Sequence, residues 1–327
     1  MDMFKNQRVL FVTTKNLDYL RNTQEIGLLK KIAENVHVVG SNKKSYPARL
    51  MHVYWQLLWY PKKQFDKVFV GFAPQLILPF FKWKFKGKEI GIDFFISVYD
   101  TLVFDRKKFK EHGIVARLLK WIDTITIQAA DIVLSDTRAH GNYFIEEFGL
   151  SPDKLEVLYL EADRSIYYSR SRNKPERMKG RCTVLYFGSI LPLQGLEVIL
   201  DAVDLLKDNK ELYFVIIGPI DKKYQKPQSD TIEYHNWLSQ EELAEYINNA
   251  DLCLAGHFNN DINKAKRTIP GKAYIYEAMG KPMILGDNPA THELYGEDMP
   301  GIYFVKMGDA KLLADTILMA AKKEEIA

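Results

Sequence analysis

A loop in the second half of the chain has the residue types that bind a phosphate group. Gly188 ends an apolar run, Gly195 opens an amphipathic helical pattern, and Ser189 and Gln194 lie in the loop between them. Free backbone N–H groups and the positive end of a helix dipole at such a junction hold anions. We therefore predict that this loop contacts a phosphorylated ligand; the alternative is that its glycines serve only helix–strand packing.

A second junction, further along the chain, carries two cations. Arg267 lies just before a predicted helix and Lys272 lies in its first turn, where the helix dipole disfavours positive charge. A bound diphosphate would compensate, although two side chains that extend into water would cost at most about 1 kcal/mol. Glu277, later in the same helix, has a carboxylate that can accept hydrogen bonds from both hydroxyls of a ribose; alone, it has the pattern of an exposed helical glutamate.

The segment before the predicted helix 241–250 has groups that suit a nucleobase. The candidates are backbone and aromatic groups at Asn236, Trp237 and Leu238. The same segment predicts a helix N-terminus, with Ser239 as N-cap and Glu242 completing a capping box. The two interpretations are compatible with each other.

These junctions are positioned by two successive series of strand and helix patterns. Strands that alternate with helices predict a parallel sheet with helices on both faces. We therefore predict an α/β protein with an N-terminal domain, 1–165, and a C-terminal domain, 166–327, whose last helix is a candidate to pack back on the N-terminal domain. Ligands of open α/β sheets bind beyond the carboxyl ends of the strands, so a cleft lined by strand-end loops is expected.

The order of sequence pieces in the C-terminal half resembles family 4 glycosyltransferases. The pieces read LYFGSILPLQGLEVILDA, LYFVIIGP, WLSQEELAEYINNADLCLA, RTIPGKAYIYEAMGKPMILGDNPATHEL and GIYFVKMGDAKLLADTI, and they cover most of residues 182–320. The N-terminal half is similar more loosely, through IDFFISVYDTLVFDRK and AADIVLSDTRAHGNYF. The resemblance implies a GT-B fold of two Rossmann-like domains that face each other across a cleft, a nucleotide-sugar donor, retention of anomeric configuration and no essential metal.

By this resemblance, several residues take roles in donor binding. Glu277 matches the glutamate that holds the donor ribose, Lys272 a lysine ahead of it, and Gly188 the glycine of the diphosphate loop. Asp100 matches the aspartate of a His–Asp pair in which Tyr99 replaces the histidine, so both are candidates for orienting the acceptor or the donor. The remaining donor-side candidates follow later strands: His257, Thr291 and Glu293.

The chain departs from the family pattern at two cations and one acid. Ser189 and Gln194 stand where the family often has Arg and Lys, and Ile269 stands where the first glutamate of a spaced pair is expected. We expect Arg267 and Lys272 to replace the missing cations, because catalysis of this kind is mostly stabilisation of developing negative charge. The catalytic candidates are therefore Arg267, Lys272, Tyr99 and Asp100.

Positive charge is concentrated between residues 43 and 89. This stretch has ten Lys or Arg residues against Asp66 and Glu89, interleaved with aromatic residues such as Trp55, Trp59 and Trp83. Basic residues beside aromatics suit an anionic membrane surface, and the alternative is a solvated face over core aromatics. No stretch reaches the roughly 18 apolar residues of a membrane span.

The remaining composition narrows the class of protein. Cys182 and Cys253 lie in apolar runs and indicate reduced core residues in a reducing compartment. We expect a cytoplasmic protein, peripheral on the inner face of the cell membrane.

No cluster has metal-ligand spacing and no nucleic-acid-binding motif accompanies the charge. We therefore expect no metal, no nucleic-acid partner and no cofactor besides the nucleotide-sugar co-substrate.

The sequence thus predicts a metal-independent hexosyltransferase of polysaccharide biosynthesis, which moves a sugar from a nucleotide diphosphate to a glycan or lipid-linked acceptor. Two alternatives stay open. One is a catalytically inactive nucleotide-sugar-binding subunit of a transferase complex, and the other is a GT-B nucleotide-sugar epimerase. A nicotinamide dehydrogenase is disfavoured, because no G-x-G-x-x-G follows either opening strand.

Overall fold

A computed structural model describes residues 1–324 and divides them into two compact units. The boundary follows Leu160, whereas the sequence placed it after residue 165. Each unit contains one six-stranded sheet in which every pair of neighbouring strands is parallel. The predicted α/β class, with two Rossmann-like units, is confirmed.

The first unit has the strand order β2-β1-β3-β4-β5-β6. Its strands are β1 (Arg8–Val12), β2 (Asn35–Val39), β3 (Lys67–Val70), β4 (Glu89–Asp93), β5 (Ile132–Ser135) and β6 (Leu155–Val157). Its helices are α1 (Leu20–Ile32), α2 (Tyr46–Trp59), α3 (Leu78–Phe81), α4 (Ile114–Gln128) and α5 (Arg138–Phe148). The strand predicted over 89–100 ends at Asp93, and the chain then passes through a loop into a short π-helical segment, Asp100–Asp105.

The second unit has the strand order β12-β11-β10-β7-β8-β9. Its strands are β7 (Cys182–Phe187), β8 (Leu212–Ile217), β9 (Ile232–His235), β10 (Leu252–Gly256), β11 (Met283–Gly286) and β12 (Ile302–Val305). Its helices are α6 (Leu196–Leu206), α7 (Gln240–Asn249), α8 (Asn263–Arg267), α9 (Gly271–Ala278) and α10 (Ala310–Glu324).

The central strands of the second sheet are apolar along their whole length because helices cover both faces. β8 reads LYFVII and every residue in it is buried, the pattern of a strand in a covered parallel sheet. It pairs in register with β7, from Cys182 opposite Leu212 to Phe187 opposite Ile217. Since all strands run the same way, the loops that follow them emerge at one edge of the sheet.

The helices of the first unit lie in two layers. Alternate residues of its strands, including Leu10, Val12 and Val68, pack with α2, α3, α4 and α5 in one core. The residues between them, such as Phe11 and Phe69, pack against α1 on the other face.

The last helix, α10, packs within its own unit. Its residues Leu313, Ile317 and Ala320 are buried in the core that α6 and the second sheet share, and it runs against α6 and β12. The suggestion that it packs back on the N-terminal domain stays a prediction.

Candidate functional site

The loop that joins β7 to α6 is folded tightly against the loop that follows β10. A Cβ added at Gly188 would lie 2.3 Å from Oε1 of Gln194. Gly195 has a φ of +71°, and a Cβ there would lie 2.6 Å from the backbone N of Asn259. Both glycines therefore serve close packing, while Ser189 between them is exposed.

Lys272 lies in the first turn of α9, with its ammonium group inside the unit. Its Nζ donates a hydrogen bond to Oε1 of Gln194 (3.1 Å) and lies 4.1 Å from the centre of the Tyr186 ring. The Tyr186 hydroxyl donates to the same Gln194 oxygen. Only 5% of the Lys272 surface is exposed, and burial lowers the pKa of its ammonium well below the usual 10.5.

The groups around Lys272 hold it without neutralising it. Within residues 1–324, Lys272 forms no ion pair with a carboxylate, and desolvation is the cause of its lowered pKa. A buried cation is costly unless it is paired. An anion beside Gln194 would supply the charge that this part of the second unit lacks.

Glu277 lies further along α9 and is exposed. The hydroxyl of Tyr295 donates to its Oε2 (3.0 Å). Burial raises the pKa of Tyr295, and the nearby Glu277 carboxylate raises it further. The arrangement suits a carboxylate that is held by one neighbour and accepts hydrogen bonds from a ligand.

The loop after β11 contains Thr291 and Glu293 in a single 3-10 turn. The Thr291 hydroxyl lies 2.9 Å from the carbonyl oxygens of both Gly286 and Asn288, so its proton is used inside the loop. The backbone N of Thr291 donates to Oδ1 of Asn288 (3.1 Å). The structure thus gives Thr291 a part in shaping this loop, and its predicted donor contact stays a prediction.

Asn236, Trp237 and Leu238 lie between β9 and α7. Asn236 and Trp237 are exposed, so the indole ring is available as a stacking surface. The predicted capping box is confirmed: Ser239 accepts from the backbone N of Glu242, and Glu242 accepts from the backbone N of Ser239.

His257 directly follows β10, and Arg267 is the last residue of α8. His257 is buried and its carbonyl oxygen would lie 1.9 Å from a Cβ at Gly286, so its backbone contacts the end of β11. Arg267 is half-buried, five positions before Lys272. Both residues lie in the connection between β10 and α9, which begins at the carboxyl edge of the second sheet, where the donor is predicted to bind.

Tyr99 and Asp100 lie in the interior of the first unit. The Tyr99 ring packs edge-on against Phe104 (5.4 Å between ring centres) and Phe148 (6.3 Å), and only 2% of Asp100 is exposed. The backbone N of Asp100 donates to Oγ of Ser97 (2.9 Å). Their predicted role in orienting a substrate stays a prediction, since both side chains face protein.

Asp123 is a buried acid that the sequence analysis did not single out. Its carboxylate accepts hydrogen bonds from the Ser97 hydroxyl (2.7 Å), the backbone N of Tyr99 (2.9 Å) and Nε2 of Gln75 (2.9 Å). Burial raises its pKa to about 6. Asp123 thus ties α4 to the loop that carries Tyr99. The sequence could have indicated Asp123 through its position inside an apolar helical stretch, because a single carboxylate there needs hydrogen-bond donors in the core.

Residues 1–324 contain neither a candidate metal site nor a candidate membrane span. No three His, Cys, Asp or Glu side chains among these residues are grouped so as to hold a metal ion. None of the helices in this range has the length and apolar character needed to span a membrane.

Comparison with known sequences connects the second unit to a family. Residues 181–323 match the family model described as "Glycosyl transferases group 1". The chain is similar to chitobiosyldiphosphodolichol beta-mannosyltransferase of Candida albicans, with 23% identity over 276 residues, 76% of this chain and 58% of that protein. It is also similar to an uncharacterized 41.2 kDa protein in the cps region of Klebsiella pneumoniae, with 19% identity over 188 residues, 56% and 51% of the two chains. The matches span little more than half the length of these relatives.

Solved structures with the same fold extend over nearly the whole chain. Sucrose-phosphate synthase of Thermosynechococcus elongatus matches with a TM-score of 0.70 and 11% identity, covering 98% of this chain and 90% of that one. Anabaena HepE in complex with UDP matches with a TM-score of 0.63 and 12% identity, covering 98% and 94%. At these identities the likeness shows the fold, and the predicted GT-B fold is confirmed.

Proposed function

We propose, from the premise that the chain is a family 4-like glycosyltransferase of the GT-B fold, that it moves a sugar from a nucleoside diphosphate to a glycan or lipid-linked acceptor. The observation that carries the proposal is Lys272, a buried ammonium with no carboxylate partner in the part of the chain described. It lies beside the loop that opens α6. A diphosphate at this sheet edge supplies the missing negative charge.

The donor contacts follow from the side chains around this lysine. The backbone N of Ser189 and the first N–H groups of α6 are offered to the phosphates, whereas the Gly188 N–H donates to the carbonyl oxygen of Ile217. Glu277, held by Tyr295, accepts hydrogen bonds from the ribose hydroxyls. Trp237, exposed beside β9, offers its ring to the base. Related structures support a uridine nucleotide as the first donor to test, because HepE was solved with UDP and with UDP-glucose.

The reaction is a displacement of diphosphate from the anomeric carbon by an acceptor hydroxyl. Arg267 and Lys272 stabilise the charge that develops on the leaving diphosphate, so no metal is needed. In the retaining course implied by the family resemblance, a phosphate oxygen of the leaving group takes the acceptor proton. No nucleophile of the chain is then required.

The acceptor and its location are proposed on two grounds. The Candida relative is named for a dolichol-diphosphate-linked substrate and the Klebsiella relative for a cps region, which favours a lipid-linked acceptor in polysaccharide biosynthesis. In residues 43–89, Trp55, Trp59 and Trp83 are exposed beside lysines, which suits an anionic membrane surface. The chain then works as a peripheral protein on the cytoplasmic face of the membrane.

The proposal is tested by thermal unfolding with UDP, GDP, ADP and TDP. One of them should raise the melting temperature, because a ligand of the folded state stabilises it. Lys272→Met should abolish the shift, and Lys210→Met, which removes an exposed surface lysine, should leave it unchanged. If no nucleotide stabilises the wild type, or if Lys272→Met binds as well as wild type, the donor site is wrong.

A turnover assay distinguishes a transferase from a binding subunit and from an epimerase. The matching nucleotide sugar should release nucleotide slowly by hydrolysis, faster with acceptor, and at the same rate after chelation of divalent metals. Binding without any release would favour a binding subunit, and a changed sugar still linked to the nucleotide would favour an epimerase. The anomeric configuration of the product, read by NMR, tests retention.

A further inference from the structure

The outward face of α4 is apolar where a surface helix is ordinarily polar. Ile114, Leu118 and Trp121 recur at helical spacing and expose 85%, 51% and 57% of their surfaces. The opposite face of the helix is the buried one and carries Ala116 and Ile127. α4 therefore has apolar side chains on both faces, and only one of them is covered by the first unit.

Basic residues surround this exposed face. Between residues 106 and 121 the chain has six Lys or Arg residues, against Glu111 as the single acid: Arg106, Lys107, Lys108, Lys110, Arg117 and Lys120. Lys120 pairs with Glu147. Within the described chain, the lysines at 107, 108 and 110 make no ion pair and are exposed. The segment thus presents apolar side chains flanked by unneutralised positive charge.

The face continues a neighbouring surface. α2, α3 and α4 pack on the same side of the first sheet. The Tyr54 ring of α2 lies 5.0 Å from that of Phe81 in α3, and α3 in turn contacts α4. Exposed tryptophans are found here too: Trp55 and Trp59 lie on α2, and Trp83 lies in the turn after α3. Exposed indole rings therefore occur on α2, after α3 and on α4.

We propose that the outward face of α4 is a second membrane-contact surface, which binds anionic lipid headgroups with its lysines and inserts Leu118 and Trp121 into the interfacial region of the bilayer. Tryptophan is enriched at membrane interfaces, and basic residues near an anionic leaflet add attraction. A second copy of the chain is the poorer occupant, because a symmetric contact would oppose the same unpaired lysines. The inference extends the proposed membrane association of residues 43–89 to a surface with its own residues.

The test measures sedimentation of the full chain with phosphatidylcholine vesicles, with and without phosphatidylglycerol, at low and high salt. The double variant Leu118→Glu/Trp121→Glu should bind the anionic vesicles about tenfold more weakly than wild type. Leu205→Glu, at an exposed leucine of α6 in the second unit, is the matched control and should bind as wild type does. High salt should weaken wild-type binding, because it screens attraction to the headgroups.

The outcomes separate this inference from the proposed function. If Trp55→Glu/Trp59→Glu loses vesicle binding while the α4 variant keeps it, the α4 surface is refuted and the first membrane surface stands. If the wild type ignores anionic vesicles, both membrane proposals fail, whereas nucleotide binding is decided by its own assay. If sedimentation velocity shows a dimer that Leu118→Glu dissociates, the face is an interface between copies and the proposal is overturned. Circular dichroism checks that each variant is folded.

Discussion

The buried Lys272 explains why position 194 has a neutral glutamine. The oxygen of Gln194 accepts hydrogen bonds from Lys272 and Tyr186, so the amide holds the buried ammonium in place. A lysine at position 194, which the family resemblance leads one to expect, would put a second positive charge within hydrogen-bond reach of the first. In a medium of low dielectric such a pair repels strongly. The chain therefore has one buried cation and a neutral acceptor at this point.

Lys272→Met should make the ligand-free protein more stable while removing nucleotide binding. Replacing an unpaired buried charge by an apolar side chain of similar size should raise the free energy of unfolding by about 1–3 kcal/mol. Urea unfolding at neutral pH measures this change. A destabilised variant would contradict the claim that Lys272 is held at a cost for the sake of a ligand.

The same variant has a predicted pH dependence. The folded protein releases the Lys272 proton below the usual pKa of 10.5, whereas the unfolded chain keeps it up to that value. Since the unfolded state binds more protons in this window, wild-type stability rises with pH there. The advantage of Lys272→Met should therefore shrink as the pH rises towards 10.5, and Lys210→Met should show no such trend.

Single residues were predictable where their type either conflicts with a local rule of helix structure or satisfies one. Lys272 stood out because a cation is disfavoured at a helix N-terminus, and Ser239 because it fits a capping pattern. Asp123 was missed, since its donors Ser97, Tyr99 and Gln75 come from distant parts of the chain. The burial of the Tyr99 side chain could not be predicted from the sequence either, because the π-helical segment that follows it has no sequence signature.

At the scale of elements, the site depends on how closely two loops approach. The start of α6 and the loop after β10 meet at Gly195, where a Cβ would lie 2.6 Å from backbone atoms of Phe258 and Asn259. Backbone atoms cannot move aside as a flexible side chain can. This contact sets the position of the helix start relative to β10, and with it the position of the N–H groups offered to a phosphate.

Gly195→Ala should destabilise the protein by roughly 3 kcal/mol, because it combines left-handed backbone strain with a backbone clash. Gly180→Ala is the control: it has a similar φ of +67° but open space around it, and should cost about 1 kcal/mol. Chemical denaturation of both variants measures the difference. Equal losses would mean that the contact with residues 258–259 is not tight.

Element types and their order were predictable, and element ends were less so. The apolar runs of β7 and β8 need helices on both faces, which identifies a covered parallel sheet. The first sheet was harder to bound: the run 89–100 looks continuous, yet β4 ends at Asp93. Asp93 is buried in an ion pair with Arg21 of α1, a contact between residues far apart in sequence.

For the whole molecule, two units with separate cores have opposite charge. Residues 1–160 have 24 basic and 17 acidic residues, a net +7, and residues 161–327 have 21 and 25, a net −4. The proposed membrane surfaces lie on the positive unit and the proposed donor site on the other. We thus assign membrane binding to the first unit and nucleotide-sugar binding to the second.

Hydrogen exchange should map each ligand to its own unit. The stabilising nucleotide should slow amide exchange in 189–196 and 271–277, since these segments carry the proposed phosphate and ribose contacts. Anionic vesicles should slow exchange in α2 and α4. Mass spectrometry of peptides after each addition measures this, and nucleotide protection confined to residues 1–160 would contradict the assignment.

The placement of the indole rings has an optical consequence. All five tryptophans of the chain lie at the surface, four of them on α2, α4 and the turn after α3, and the fifth before α7; phenylalanine and tyrosine fill the interior instead. Ultraviolet emission of the free protein will therefore resemble indole in water and will change little when the cores melt. A blue shift will signal that something has covered the outside of the molecule.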